Sequence, residues 1–358
     1  MLRKIFAATV LALFMLTAQI VFAEIPIDWS KVQRVGNKQD LARYIESEQR
    51  KGNTEVAVVL TNGLTLNAKD FLILCPNFGV SQETHGGDGQ NTFMLYKLQE
   101  YPGTKVANAY LSGSTFWLNA EEKKLYDVAV GIVNKAKKEK NFFAQEMTIY
   151  GHIMNRATYL TGDMSHQPRF VSAIGALVDG KANCQGYADA FYMLGRMMGW
   201  NVGRISGTFN GGGHSWNWIE INGKTYFVDA TGDDETFDGK HNAYIYFNAP
   251  AEIMQVTHSW DWSLAPPNLQ PSVDGCYSYR YFRGNLDCAN SAEAGVNLIS
   301  QKLSDGKHTW FSVMTPLNES YFTNSQQVTN DIANKSGKNI TLFTRKYGKY
   351  MFFSAWLR

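Results

Sequence analysis

The sequence predicts an α+β chain: one mixed unit of helices and antiparallel strands set between two small α/β modules. Three observations predict it. Residues 181–234 read as an amphipathic helix followed by two strands joined at Asn222-Gly223, a strong hairpin signal. Residues 37–111 and 290–357 each read as helix, strand, helix and hairpin, two copies of one module with slight identity. Between the middle unit and the second copy, APPNLQPS (residues 265–272) is proline-rich and reads as a linker. The expected divisions are a leader over 1–23, an N-terminal module over 24–113, a central unit over 114–265 and a C-terminal module over 266–358.

The leader has a basic start, Arg3-Lys4, then an apolar stretch from Ile5 to small residues at Val21 and Ala23. That is the pattern of a secretory signal cut after Ala23. The mature chain is therefore expected to be secreted or periplasmic and off the membrane. No cysteine stands at the cut to carry a lipid, and retention as an uncleaved anchor is the alternative. In the first module Asn37 caps a helix that carries Leu41, Tyr44 and Ile45 on one face. EVAVVL (55–60) reads as a strand, Leu66 to Leu74 as a short helix, and residues 80–91 as a polar loop. FMLYKL (93–98) and KVANAYL (105–111) read as two strands turning at Tyr101-Pro102-Gly103.

The central unit opens with two helices. One runs from Glu121 to Lys140 with Leu125, Val128, Ala129 and Ile132 on its apolar face; the other runs from Glu146 to Tyr159 with Ile149, Ile153 and Ala157. Cys184 then begins a helix with Ala188, Phe191, Tyr192, Gly195 and Met198 on one face. His214 begins the strand HSWNWIEI, and Asp229 ends the strand KTYFVD. Before His214, GTFNGGG reads as a glycine-rich loop. After Asp229, the segment with Asp233, Asp234, Glu235 and Asp238 reads as a solvated acidic loop rather than a calcium loop, because its spacing fits none. His258, near the end of the unit, reads as structural. In the last module Asn290 and Glu293 form a capping pair before a helix with Val296, Ile299 and Leu303. HTWFSVM is a strand, a helix follows near Gln326 to Ala333, and residues 340–357 form a hairpin turning at Tyr347-Gly348.

Charge excludes some functions. With 34 basic and 32 acidic residues the formal net charge is +2, and no basic run is interleaved with aromatics, so nucleic acid is not an expected partner. No metal-ligand spacing or phosphate-binding glycine loop appears, and neither a metal nor a cofactor is expected. Four cysteines are present. In an oxidising compartment Cys276 and Cys288 are the expected bridge. Cys75, in FLILCPNF, is expected to be buried and inert, and Cys184 to stay free.

Cys184, His214 and Asp229 suit thiol chemistry. The nucleophile is a thiolate, and a helix N-terminus supplies unpaired N–H groups and partial positive charge that favour it. A histidine in reach takes the proton, and an aspartate orients the imidazole. A two-residue turn at Asn222-Gly223 pairs Ile221 with Lys224. Trp216 then faces Asp229, with His214 its diagonal neighbour on one face. The expected reaction is attack on a peptide or carboxamide carbonyl through a thioester, with water slightly favoured over an amine as acceptor. The alternative from another class is a peptide- or cell-wall-binding module without turnover.

GKANCQGYADAF followed by GGHSWNWIEINGKTYFVDATGDD resembles the transglutaminase-like superfamily. The resemblance spans roughly residues 121–262. It implies a papain-like core with Cys184 as nucleophile, His214 as base and Asp229 as orienter. It also singles out Tyr159, where the family often keeps a tyrosine, as a candidate cleft residue. Gln167 is a candidate oxyanion donor beside the backbone N–H of Cys184. Gly232 departs from the family, which often has an aromatic residue there. The implied activity is that of a cysteine peptidase, amidase or cross-linking acyltransferase. Export points to cell-wall peptides or surface proteins as substrate.

Overall fold

Residues 27–67, 70–71, 74–234, 244–262, 265, 268–269, 286–322 and 324–358 are described by the structure, a computed structural model. The leader and Cys276 lie outside these residues, as does the side chain of Cys288, so the expected cut and bridge do too. No helix among the described residues is long and apolar enough to cross a membrane.

The first module contains β1 (Arg34–Val35), α1 (Lys38–Arg50), β2 (Glu55–Leu60), β3 (Phe78–Gly87) and β4 (Thr92–Glu100). Asn37 caps α1 by accepting the Asp40 N–H. Leu41 and Ile45 of α1 pack on Val58 and Tyr96 of the sheet, all fully buried. Two expectations fail here. Residues 80–91 are not a loop: most of them form β3, paired antiparallel with β4 from Phe78 opposite Glu100. β3 is an edge strand exposed along most of its length, so it carries no alternation to read. KVANAYL is not a strand: it lies in α2 (Pro102–Ser112), with Pro102 in the first turn and left-handed Gly113 at its end. Val106, Ala107 and Ala109 of α2 are buried in the core of the central unit.

That unit continues with α3 (Ala120–Ala136), closed by an Asn119–Glu122 capping box, and α4 (Phe142–Arg156), capped by Asn141. β5 (Thr158–Tyr159) pairs in parallel with β6 (Lys181–Ala182). Helix α5 (Cys184–Met197) follows. Next come β7 (Val202–Phe209), β8 (Gly212–Ile221), β9 (Lys224–Val228), α6 (Ala230–Asp233), α7 (Ala251–Met254) and β10 (His258–Ser259). The sheet order is β10-β7-β8-β9. Asn222 and Gly223 have φ of 52° and 73°, the two positive values of a tight hairpin turn. Ile221 pairs with Lys224, the register expected from the sequence. One face of α5 (Ala190, Phe191, Leu194) is fully buried against α4 and the sheet.

The last module repeats the first. β11 (Leu286–Cys288), α8 (Ala292–Ser304), β12 (Trp310–Pro316), α9 (Glu319–Phe322), α10 (Ser325–Ser336), β13 (Ile340–Tyr347) and β14 (Tyr350–Leu357) form a sheet of order β11-β12-β14-β13. The first sheet has the matching order, β1-β2-β4-β3, and in both the first pair is parallel and the others antiparallel. Ser291, not Asn290, caps α8, through the Ala294 N–H. Met314, Tyr347, Tyr350 and Phe352 of this module pack with Trp216, Tyr246 and Trp260 in one core, so the module buttresses the central sheet.

One buried carboxyl costs stability. Glu146 on α4 is fully buried and accepts one bond, from Asn248 Nδ2 at 2.8 Å. Its Oε1 and the Oδ1 of Asn248 have no partner among the described residues. Burial pushes its pKa up to about 8, against the weaker opposing pull of the Asn248 bond. The folded state therefore binds the proton more tightly than the unfolded chain. This contribution is fully present below about pH 4.5 and is lost as pH rises through 8. Glu146→Gln is expected to unfold like the wild type at pH 4 and to be more stable by about 2–5 kcal/mol at pH 8.5. Urea midpoints at the two pH values check this, and a constant difference between them would refute it.

Candidate active site

Asn183 precedes α5 and accepts the N–H groups of Gln185 and Gly186 through its side chain. Cys184 is thus the first helical residue, with the donor end of the helix around it. Its seat is tight: a Cβ at Gly186 would stand 2.6 Å from Ala182 Cβ and 2.8 Å from the Phe170 carbonyl oxygen. Only glycine lets the helix begin this close to the segment before it.

His214 Nε2 lies 2.8 Å from Asp229 Oδ2, with both side chains buried. That leaves Nδ1 unclaimed by Asp229, and Cys184 lies near enough to favour the protonated ring. Burial alone would depress the His214 pKa. The charge and hydrogen bond of Asp229, with those of Cys184, outweigh it and raise the value to about 10. Asp229 moves the opposite way: burial favours its neutral form, but His214 and then His258 hold it well below the usual carboxylate range. The site therefore holds an ionised aspartate and a protonated imidazole near neutral pH.

The other oxygen of Asp229, Oδ1, accepts the Thr231 and Gly232 N–H groups at 3.1 Å each and so caps α6. A Cβ at Gly232 would come within 2.6 Å of Asp229 Oδ2 and 2.8 Å of the Tyr246 ring. Tyr246 thus supplies the aromatic wall beside Asp229 from another segment, which accounts for glycine at 232.

The acidic segment after Asp229 is not solvated where it is described. Asp233 is fully buried and accepts the Tyr150 hydroxyl at 2.6 Å and the N–H groups of Ile245 and Tyr246. Asp234 accepts the Tyr187 hydroxyl. Glu235 and Asp238 lie outside the described residues. GTFNGGG is not an open loop either: Phe209 pairs with Gly212 across a turn at Asn210-Gly211, and the Phe209 ring packs 5.1 Å from that of His214.

Tyr159 lies beside the cleft. It is 47% exposed, and its hydroxyl pKa is raised first by burial and then by the charges of Cys184 and Asp229. Gln167 is exposed at the end of a 3₁₀ turn whose Ser165 carbonyl accepts Asn183 Nδ2 at 2.9 Å. Cys75 is buried, and its thiol is pushed up to about 12, chiefly by burial.

Sequence reasoning missed His258. Its Nε2 lies 3.0 Å from Asp229 Oδ2, the oxygen that His214 also holds. The signal was present as a repeat: His214-Ser215-Trp216 recurs as His258-Ser259-Trp260. The two copies flank β7, His214 opposite Gly207 and His258 opposite Phe209. Positions 207 and 209 share a face of that strand, so both histidines reach one carboxylate.

Residues 126–230 match the family model of the transglutaminase-like superfamily. Among solved structures the chain is similar to a TGase, at 14% identity over 56% of this chain and 59% of that one, with a TM-score of 0.29. It is also similar to a candidate cysteine protease from Cytophaga hutchinsonii (15%, 49% and 64%, TM-score 0.25). A third is a candidate protease from Parabacteroides distasonis (10%, 84% and 65%, TM-score 0.28). In each case the chain spans less than two thirds of the matched structure's length. No curated protein matches the chain.

Proposed function

We propose, from the premise that residues 126–230 form a transglutaminase-like domain, that this protein is a thiol-dependent acyl-transfer enzyme acting on peptide or carboxamide carbonyls. One observation carries the reading: Cys184 begins a helix beside His214, whose other ring nitrogen is held 2.8 Å from buried Asp229. The thiolate attacks the carbonyl carbon, and charge gathers on its oxygen near the first N–H groups of α5. The C–N bond breaks as His214 gives the leaving nitrogen its proton, and a thioester on Cys184 results. The acceptor then attacks the thioester carbon, His214 takes its proton, and the thiolate returns. Asp229 stays ionised throughout and steadies the imidazolium.

Water is the favoured acceptor. Tyr159, beside the cleft, is 47% exposed, so this wall of the cleft is open to solvent. Gln167 and Tyr159 are the side chains we assign to the substrate's carbonyl and flank. The apolar leader supports export, with cell-wall or surface peptides as the substrate class. Incubation with a glutamine-containing peptide and an excess of labelled primary amine tests the acceptor. Free acid is expected to form faster than labelled peptide. Label incorporation that outpaces acid would overturn hydrolysis in favour of cross-linking, and no acylation of Cys184 by either route would favour a binding module.

A further inference from the structure

We propose that His258 is a positioning residue for the triad: it donates from Nε2 to the same Asp229 oxygen that holds His214 and so fixes the carboxylate against the catalytic imidazole. This inference rests on the thiol mechanism above and adds a fourth member to it.

The geometry is closed on every side. Asp229 Oδ1 is taken by two backbone N–H groups, and Oδ2 by two imidazoles at 2.8 and 3.0 Å. The His258 side chain is fully buried. Its other nitrogen, Nδ1, lies 3.0 Å from Thr257 Oγ1, which is 2.8 Å from the Tyr246 hydroxyl. A carboxylate only accepts, so Nε2 of His258 carries a proton. The titratable groups facing the ring are Asp229 from the junction of β9 and α6, His214 from β8 and Tyr246 from the segment before α7. Tyr347 of β13 reaches Thr257 behind it at 3.5 Å.

The two rings take different charge states. Burial depresses the His258 pKa, the Asp229 bond and charge oppose it, the neighbouring His214 lowers it further, and the Met254 carbonyl opposes it least. With its pKa below the ordinary imidazole value the ring is mainly neutral near pH 7; with its one proton on Nε2, Nδ1 is left to accept from the Thr257 hydroxyl. That bond fixes the tautomer, and Tyr246 and Tyr347 tie it to the core shared with the C-terminal module. A neutral donor on Oδ2 restrains the carboxylate without neutralising it, which leaves the negative charge for the His214 imidazolium. A purely structural histidine at this place would not need its proton on the triad oxygen.

The experiment follows iodoacetamide alkylation of Cys184 in the full chain from pH 5 to 10. It compares the wild type, His258→Leu, His258→Gln and His214→Ala, with the melting temperature of each recorded. Gln places a donor near Nε2 but lacks the Nδ1 acceptor. His258→Leu is expected to slow alkylation at pH 7 about tenfold and to move the profile's midpoint. His258→Gln is expected to recover to within about threefold of wild type, whatever the two melting temperatures are. A wild-type profile in folded His258→Leu would overturn the proposal, and so would a folded His258→Gln as slow as His258→Leu. If His258→Leu does not fold, His258→Gln and Thr257→Val decide. Thr257→Val frees the tautomer and is expected to shift the profile less than His214→Ala does; no shift with Thr257→Val together with slow His258→Gln would overturn the proposal. His214→Ala separates the two readings: if it leaves Cys184 alkylation unchanged, the triad itself fails, whereas if it alone changes the profile, only the role of His258 fails.

Discussion

Cys184→Ala is expected to remove turnover altogether while leaving the fold in place. The residue sits at the first position of α5, and its side chain contributes one sulfur to the site rather than a large apolar surface. His214→Ala is expected to be nearly as damaging, because the thiol loses the base beside it and Asp229 loses its cationic partner. Asp229→Asn keeps the size and loses the charge. In serine triads that change costs about 10⁴-fold through the wrong tautomer. A thiol leans less on its base, so a loss of roughly 10–10³-fold is expected here. The measurement is acid release from a peptide substrate, with circular dichroism as the check on folding. Full activity in Cys184→Ala would end the proposed mechanism.

The largest stability effect is expected at Arg204. Its side chain, 3% exposed, pairs with that of Asp189 of α5, 1% exposed. It also donates to the Asn77 carbonyl at 2.9 Å and to Thr104 Oγ1 at 3.1 Å. The rings of Tyr192 and Tyr101 stand 4.1 and 4.8 Å away. The second oxygen of Asp189 takes the Gly103 and Ala173 N–H groups at 3.0 and 2.8 Å. One ion pair thus joins the first module, α2, the segment before Cys184, α5 and β7. Arg204→Met leaves Asp189 charged and buried, which typically costs about 3–5 kcal/mol. Arg204→Lys keeps the charge but loses the fork and the stacking, and should cost less. Urea unfolding at pH 7 measures both. A loss in Arg204→Met below about 1 kcal/mol would show that the pair contributes little.

Much of the candidate site was legible because its signals are local. A cap at Asn183 places Cys184 at a helix start. The Asn222-Gly223 turn sets the register of β8 against β9, and that register carries the chain so that His214 meets Asp229 just beyond the paired residues. The fold class and the order of elements in the C-terminal module were legible for the same reason. What was missed depended on distant partners. Residues 105–111 form a helix because α2 packs into the core around α5, although the stretch also reads as a strand. β3 shows no alternation because an edge strand exposed along most of its length buries little. Asp233 looks solvated in sequence, but Tyr150 and the N–H groups of Ile245 and Tyr246 converge on it.

By itself, then, the sequence picked out Cys184, His214 and Asp229 as the candidate triad, because caps, turns and period-two alternation act within a few residues. Only the tertiary structure decided that a second histidine shares that carboxylate, and that the C-terminal module stands behind it through Thr257 and Tyr347. The repeated His-Ser-Trp was visible in the chain. Its meaning depended on β10 pairing with β7 beside β8, a long-range pairing that no local propensity specifies.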